Sequence, residues 1–527
     1  MTGGYFVEDF SSAERSLLQR FVTDVDGPVF VLRNLSQVTC AALFARYSRS
    51  SKSLRRLLLD EFLGDRSDTA TVNEDAGRAR ASDLFGRVLA EYGDDSVAQL
   101  AGVHLACEQV SQPLAKAIEW GRLGAYLEQS TRYIAYTDKR DSRYRYRHDQ
   151  ALLSSPHADE YVAAMDGLFD TYRALIEPLR QHLDTTMPPA DDHAARRRAI
   201  RALALDLLRG LLPAGTVSNV GMFASPQAYE QLVLRLRAHP LAEARDYAER
   251  INAQLQGVIP EFLTRLERPE RGGVWAEFLR ENAAAMASQA EQLAPEREWG
   301  PEGVTLVDWD RDGEDRILAS ALFPYAHASE ERLLAAVRPL REEQRRQLFA
   351  AAVGDRRNRR HRPGRGFEHC TYTFEVISDY GAFRDLQRHR MLTIQWQALT
   401  PSLGYSVPEV VDDAGLAQQW HAAVRSAEDA YPRISAEYPE EAQYLVTLGH
   451  RIRYLVRMNA REAMHMIELR TSPQGHPSYR RICQEMHRLI DGVAGHHMVA
   501  SAMRFVGSED VHLPRYAAEA ARAVVID

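Results

Sequence analysis

Arg365 to Phe374 reads RGFEHCTYTF, and the run from His369 continues as HCTYTFEVI to Ile377. Its apolar and β-branched residues alternate in the manner of a half-buried strand. In the first half of the chain, Gly93 to Leu105 reads GDDSVAQLAGVHL and holds the corresponding place. Each stretch precedes an amphipathic segment of about six turns by helical periodicity. These segments are Ser111 to Tyr133 and Gly381 to Thr400. Further pairs flank them in the same order. Ala42-Leu43-Phe44 corresponds to Ala321-Leu322-Phe323, and LVLRLR at Leu232–Arg237 to MIELR at Met466–Arg470. Any one match is short, but their shared order points to an internal repeat.

The expected organisation is an N-terminal extension at 1–24, a first copy at 25–262, a linker at 263–302, a second copy at 303–510 and a tail at 511–527. Glu267 to Gly300 is rich in Glu, Ala and Arg, with Pro269, Pro295 and then Pro301 around it. Its pattern predicts a helix from about Gly273 to Leu293. Helical periodicity also covers Ala194–Leu212 and Gln418–Tyr431, and strand-like alternation marks Pro28–Leu32 and Gly303–Asp308. The fold class is therefore α+β, two tandem domains, each helix-rich around a small antiparallel sheet.

Composition sets the limits. The 527 residues exceed what one hydrophobic core usually organises. Hydrophobic residues at 45% and charged residues at 26% make an ordinary globular balance. A net charge of -8 disfavours a general nucleic-acid-coating role and leaves local basic sites open. The four cysteines, Cys40, Cys107, Cys370 and Cys483, form no CxxC pair, which fits a reducing compartment. No apolar run approaches transmembrane length and Met1–Arg20 has no apolar signal core, so the expectation is a cytoplasmic protein without membrane contact.

A motif overlies the repeat. Arg388-His389-Arg390 is followed by Met391-Leu392-Thr393, with Phe367-Glu368-His369 and Thr373-Phe374-Glu375 upstream and Tyr405-Ser406-Val407-Pro408 downstream. Farther on stand Asn459-Ala460-Arg461-Glu462 and Glu468-Leu469-Arg470. The set resembles the flavin-dependent thymidylate synthase (ThyX) family, whose signature reads RHRxxSxNExSxRY after an FEH-bearing strand. The first copy carries the other end of that signature, Tyr126 to Tyr133 (YLEQSTRY). Each copy departs from the pattern in a complementary way. Trp396, Ala398 and Thr400 replace the trailing Glu, Ser and Arg in the second copy, and Trp120 and Gly121 replace the leading Arg and His in the first. Two half-signatures in one chain can make one complete site and leave its reciprocal site dead.

The resemblance implies reductive methylation of a uridine nucleotide, deoxyuridine to deoxythymidine monophosphate. FAD would be the cofactor, with NADPH and methylene-tetrahydrofolate as co-substrates. It gives Glu128 and Ser130 as catalytic candidates. Arg132, Arg209, Arg237 and Arg388 are the substrate-binding candidates. Cofactor contacts would come from Ser96, Arg388, His389, Arg390, Thr393, Asn459, His465 and Arg470, and no metal is expected. Arginine suits such a role because its planar fork donates two hydrogen bonds to a phosphate and stays charged. Arg209 precedes Leu211-Leu212-Pro213, which resembles the family's RxxLP segment, whereas the second copy has Gln443 there. The loop before Phe367 departs again, with Pro363 and Arg365 where the family uses a His and a Ser/Thr for FAD; the first copy offers Asp94 and Ser96. Because family members pack several copies together, the expected assembly is a homodimer holding four copies. Two other readings stay open: a degenerate, non-catalytic flavin- or nucleotide-binding protein, and an RNA-binding protein using the arginine-rich loop Arg356–Arg365.

Overall fold

The computed structural model describes residues 8–27, 30, 32–47, 52–63, 99–131, 134–140, 142–189, 191–294 and 300–507. Its principal strands are β1 (Val103–Val110), β2 (Gly124–Glu128), β3 (Ser218–Ala224), β4 (Gly303–Trp309), β5 (Thr371–Asp379), β6 (Thr393–Trp396) and β7 (Arg451–Asn459). The helices used below are α1 (Gln112–Glu119), α2 (Ala158–Thr186), α3 (His193–Leu208), α4 (Pro226–Ala238), α5 (Ala242–Gln256), α6 (Val274–Leu293), α7 (Tyr380–Leu386), α8 (Ala417–Glu437), α9 (Ala460–Arg470) and α10 (Pro477–Gly492). This is the mixed α+β architecture expected, with small antiparallel sheets.

The repeat is visible in the strand order. One sheet runs β1-β3-β2, and the other runs β4-β5-β7-β6. In each, a strand leads into a short helix and then a second strand (β1-α1-β2 and β5-α7-β6). A later strand followed by a helix (β3-α4 and β7-α9) inserts between them. The second sheet adds β4 beside β5. Alternation decides which residues face the core: Ile452, Tyr454, Val456 and Met458 of β7 are buried, while Leu455 and Arg457 between them are exposed. Phe374, Val456 and Ile394 align across three strands.

Ser111–Tyr133 and Gly381–Thr400 are not continuous six-turn helices. The second is α7, a turn, then β6; the first is α1, a turn, then β2. The apolar residues of a short buried helix and of the following strand fall on one 3.6-residue grid, which mimics the period of a single longer helix. The strand competes well where Thr393 and Ile394, both β-branched, pair with Arg457 and Val456. Pro28–Leu32 falls largely outside the described residues; Leu32 makes an isolated bridge to Val22.

Contacts divide the chain into two compact units that cut across the sequence halves. The first unit takes described residues up to 108, with 117–128 and 219–294; the second takes 109–116, 129–218 and 300–507. Within the second unit, α2 packs on α8, its counterpart in the other copy. The paired stretches around Leu212 and Leu448 exchange backbone bonds: Ala214 N to Val446 O at 2.7 Å and Leu448 N to Leu212 O at 2.8 Å. So 129–218 packs with second-copy sequence because both α2 and the Arg209–Gly215 segment find their partners there. All four cysteines are free, and burial pushes the thiols of Cys40 and Cys107 up to about 11 and those of Cys370 and Cys483 up to about 12. Among the described residues no helix is long and apolar enough to cross a membrane.

Candidate functional site

The second unit gathers charge where three chain segments meet. β5 ends at Asp379, whose carboxylate caps α7 by accepting from the Ala382 N–H at 2.8 Å and also accepts from Ser478 on α10. Burial raises the Asp379 pKa, offset in part by Arg209 and these hydrogen bonds. Every residue of α7 is buried, so Asp385 on its last turn is held inside. The third segment is the end of α3, which is capped by Asp192 and delivers Asp206 and Arg209.

Asp385 is the centre. Arg209 Nη1 lies 3.2 Å from its Oδ2, and Arg388 Nη1 and Arg470 Nη1 each lie 4.0 Å from its Oδ1. Asp206 sits 3.5 Å from Arg209 Nη1. Three guanidinium groups thus converge on Asp385 and Asp206, with the Asp379 carboxylate also beside Arg209. The Arg209 side chain is 5% exposed, and its Nη2 meets no hydrogen-bond acceptor among the described residues. A buried donor without an acceptor is costly, by about 1–3 kcal/mol, unless a ligand or water supplies one.

Beside this cluster, His389 is clamped between opposite partners. Its Nδ1 lies 2.9 Å from Glu462 Oε1, and its Nε2 accepts from Arg470 Nε at 3.0 Å. That pair of contacts assigns the tautomer: Nδ1 carries the proton and Nε2 the lone pair. Burial, aided by the Arg470 charge, lowers the His389 pKa to about 4, so the ring is neutral near pH 7. Burial alone would raise the Glu462 carboxyl, but the hydrogen bonds from His389 and His465 outweigh it and bring it to about 2. Asn459 caps α9 by accepting from Glu462 N at 2.9 Å, which aims Glu462 and, one turn on, His465 toward His389.

His389, Glu462 and His465 place three potential ligand atoms within 4.8 Å of one another. A metal on His389 Nδ1 would leave the ring proton on Nε2, against the Arg470 N–H. The clamp therefore favours a protonated Nδ1 over a coordinated ion, and the cations needed for anions are already present as arginines.

The expected residues fall into groups. Arg209, Arg388, His389, His465 and Arg470 come together, with Asn459 as the cap that orders them. Arg388 and Arg390 are exposed on either side of buried His389, and Thr393 is exposed on the edge strand β6. Arg237 belongs to the other unit. There its guanidinium binds Glu249 at 2.8 and 2.9 Å and the Leu266 carbonyl at 3.0 Å, tying α4 to α5. Glu128 is buried at the end of β2, paired with Val220, and Ser130 is half-buried just beyond it. Ser96 and Arg132 lie outside the described residues. Trp396 packs on Phe383 at 5.4 Å, and Trp120 is exposed with Arg235 over its ring at 5.5 Å.

The arginine-rich loop is anchored, not free. Arg356 is buried and makes a bidentate pair with Glu468 of α9 at 2.8 and 2.5 Å, and also binds the Ala502 carbonyl. Arg357 pairs with Asp355 and Arg365 with Glu368, which leaves Arg360 and Arg362 as the loop's exposed cations without an ion pair among the described residues. The Pro363 carbonyl is taken by Arg461 at 2.9 Å. Asp385, Asp206 and Glu462 were missed from sequence. A signal was present: each acid stands three residues before its basic partner, as Asp206/Arg209, Asp385/Arg388 and Glu462/His465.

A sheet repeated twice, with an RHR turn beside a capped helix, defines a ThyX-like protein, and comparison with known sequences agrees. The family model described as thymidylate synthase complementing protein matches residues 34–261 and 305–494, and the chain belongs to that family. A UPF0159 protein of Chlamydia muridarum is 38% identical over 523 residues, covering 98% of each chain. A UPF0159 protein of Thermoplasma acidophilum is 29% identical over 92% of this chain and 98% of its own. A flavin-dependent thymidylate synthase of Geobacter sulfurreducens is 29% identical over 137 residues, 24% of this chain and 59% of its own length.

Proposed function

We propose that the second unit binds a uridine nucleotide and FAD, and that the chain reductively methylates the uridine base to the thymidine product. The observation that carries this reading is the convergence of Arg209 from the first sequence copy with Arg388 and Arg470 from the second on Asp385. The buried, acceptor-less Arg209 Nη2 and the cluster of three guanidinium groups suit an anionic oxygen. They fit the phosphate of a nucleotide or the diphosphate of FAD.

Arg209, Arg388 and Arg470 would hold the phosphates, with His389 and His465 against the cofactor. Reduced FAD, when bound, supplies the hydride, and the resemblance implies NADPH and methylene-tetrahydrofolate as co-substrates. The chain's own residues bind and orient. Asp385 holds the guanidinium groups in place before a ligand arrives, so less side-chain ordering accompanies binding. Neutral His389 keeps its donor on Glu462 and its acceptor on Arg470, which fixes the direction of the Arg470 fork. Glu128 and Ser130 enter as catalytic candidates through the family resemblance.

One observation favours a binding protein without turnover. Pro363 stands where the family places a His, and its carbonyl is held by Arg461. The absorbance spectrum of the purified chain separates the readings, followed by anaerobic reduction with NADPH in the presence of deoxyuridine monophosphate and methylene-tetrahydrofolate. Flavin bands with thymidine nucleotide formed support the enzyme; flavin bands or nucleotide binding without product support the binding protein.

A further inference from the structure

The arginine-rich loop, which the proposed function leaves unused, is a built turn lying on α9. Arg356 Nε donates to the His361 carbonyl at 2.7 Å, which closes Arg356–His361 on itself. Inside the turn, the Asn358 side chain accepts from Arg360 N at 2.9 Å and the Asn358 carbonyl accepts from His361 N at 3.1 Å. Two contacts fix the loop to α9: Glu468 on Arg356, and Arg461 on the Pro363 carbonyl. Arg461 and Glu468 are seven residues apart, so they share one face of the helix. His465 falls between them on that face, four residues after the first and three before the second. Its ring centroid is 5.2 Å from that of His389. The loop thus runs beside the residues proposed to meet the cofactor, all within the second unit.

Charge on this turn is not balanced. Glu468 pairs with Arg356, Asp355 with Arg357 and Glu368 with Arg365. Arg359, Arg360 and Arg362 make no ion pair among the described residues, and Arg360 and Arg362 are exposed. Three uncompensated guanidinium groups therefore lie within four residues of a chain whose net charge is -8. The internal hydrogen bonds and the two anchors hold the turn in shape before any ligand arrives, so little ordering accompanies binding. Such a cluster suits a compact dianion. A phosphomonoester carries about 1.5 to 2 negative charges near pH 7 and offers three acceptor oxygens to arginine forks. A single-stranded nucleic acid needs cations spread along a groove and aromatic platforms for its bases. Here the uncompensated cations sit on one turn flanked by Asp355 and Glu368, and Phe367, the only Phe, Tyr or Trp from Asp355 to His369, is buried.

We propose that Arg359, Arg360 and Arg362 form a binding site for a phosphomonoester dianion, the 2′-phosphate by which NADPH differs from NADH. The source of that phosphate rests on the flavin and NADPH reading above. The anionic oxygens of the uridine nucleotide and of FAD have their cations around Asp385. The loop serves a third phosphate and sets which reduced dinucleotide the chain takes.

Calorimetric titration of the full-length chain with NADP+, NAD+, adenosine 2′,5′-bisphosphate and AMP tests this, for the parent, Arg360→Ala, Arg362→Ala and the double variant. The parent is expected to bind NADP+ about 100-fold more tightly than NAD+, and the bisphosphate more tightly than AMP by a similar factor. Each single variant should weaken NADP+ at least about 10-fold and leave NAD+ unchanged, and the double variant should lose the preference. Circular dichroism checks that these exposed substitutions keep the fold. Equal affinity of the parent for NADP+ and NAD+, or no binding of either, overturns the proposal. So does a preference that survives in the double variant, since the 2′-phosphate is then read elsewhere. An oligouridylate that binds more tightly than NADP+ at physiological salt, and is released by the same substitutions, assigns the loop to nucleic acid and also overturns it. The absorbance spectrum keeps the flavin reading separate. A colourless chain that still prefers NADP+ through Arg360 and Arg362 sinks the flavin reading and upholds the loop site, whereas a chain with flavin bands and no preference does the reverse.

Discussion

His389 is neutral and buried between Arg470 and Glu462, so acid should loosen the second unit through this one side chain. Its folded pKa lies at about 4, below the ordinary 6.5. As pH falls below 6.5 the unfolded chain takes up a proton that the folded chain refuses. Stability is therefore complete above the unfolded value and is lost as pH falls toward the folded one. Between about pH 7 and pH 4.5 the loss is roughly 2–3 kcal/mol, from the ratio of proton binding in the two states. Glu462, held at about 2, contributes stability above its unfolded value that is lost at lower pH, mostly below this window. The comparison is His389→Gln, whose amide carbonyl can accept from Arg470 and whose N–H can donate to Glu462 without titrating. Urea unfolding of both proteins at the two pH values gives the difference directly. Other histidines, such as half-buried His239 with a pKa also near 4, are common to both and cancel. Parallel pH profiles, differing only by a constant offset, would refute a neutral, clamped His389.

Other substitutions separate structural from ligand-binding charge. Arg209→Met removes the buried guanidinium beside Asp385 and Asp206 and should lower stability by about 3–5 kcal/mol in urea unfolding, with Asp385→Asn in the same chain recovering part of it. Arg356→Ala breaks the buried pair with Glu468 and should destabilise by a similar 3–5 kcal/mol, whereas Arg360→Ala and Arg362→Ala should stay within about 0.5 kcal/mol by the same measurement. Arg237→Ala, whose partner Glu249 is mostly exposed, should reduce stability by only about 1 kcal/mol and leave nucleotide affinity, measured by calorimetry, unchanged.

The sequence carried the repeat, the strand at His369–Ile377, the helix ending at Leu293 and the arginines around the RHR motif. It misled where two short elements shared a phase, as in Gly381–Thr400, because a buried helix of two turns leaves too few residues to distinguish its period from that of a strand. The grouping of 129–218 with the second unit was not legible, since it depends on long-range pairing of the Leu212 and Leu448 segments. Arg209 and Arg388 were legible as cations. Asp385, which gathers them, was not, because an acid one turn before an arginine on a helix ordinarily signals a solvated pair. Arg237 had the same helical setting and the right residue type, but a local acid and a carbonyl hold it in the other unit.

The central claim is that cations from both sequence copies serve one nucleotide site. Calorimetric titration of the full-length chain with deoxyuridine monophosphate, beside Arg388→Ala, tests it most directly. Arg388 is 40% exposed, so the variant should keep its fold, which circular dichroism checks. The account predicts one nucleotide per chain, with affinity falling roughly 10- to 150-fold on loss of a charge-assisted hydrogen bond. Unchanged affinity in folded Arg388→Ala, or two nucleotides per chain, would contradict it.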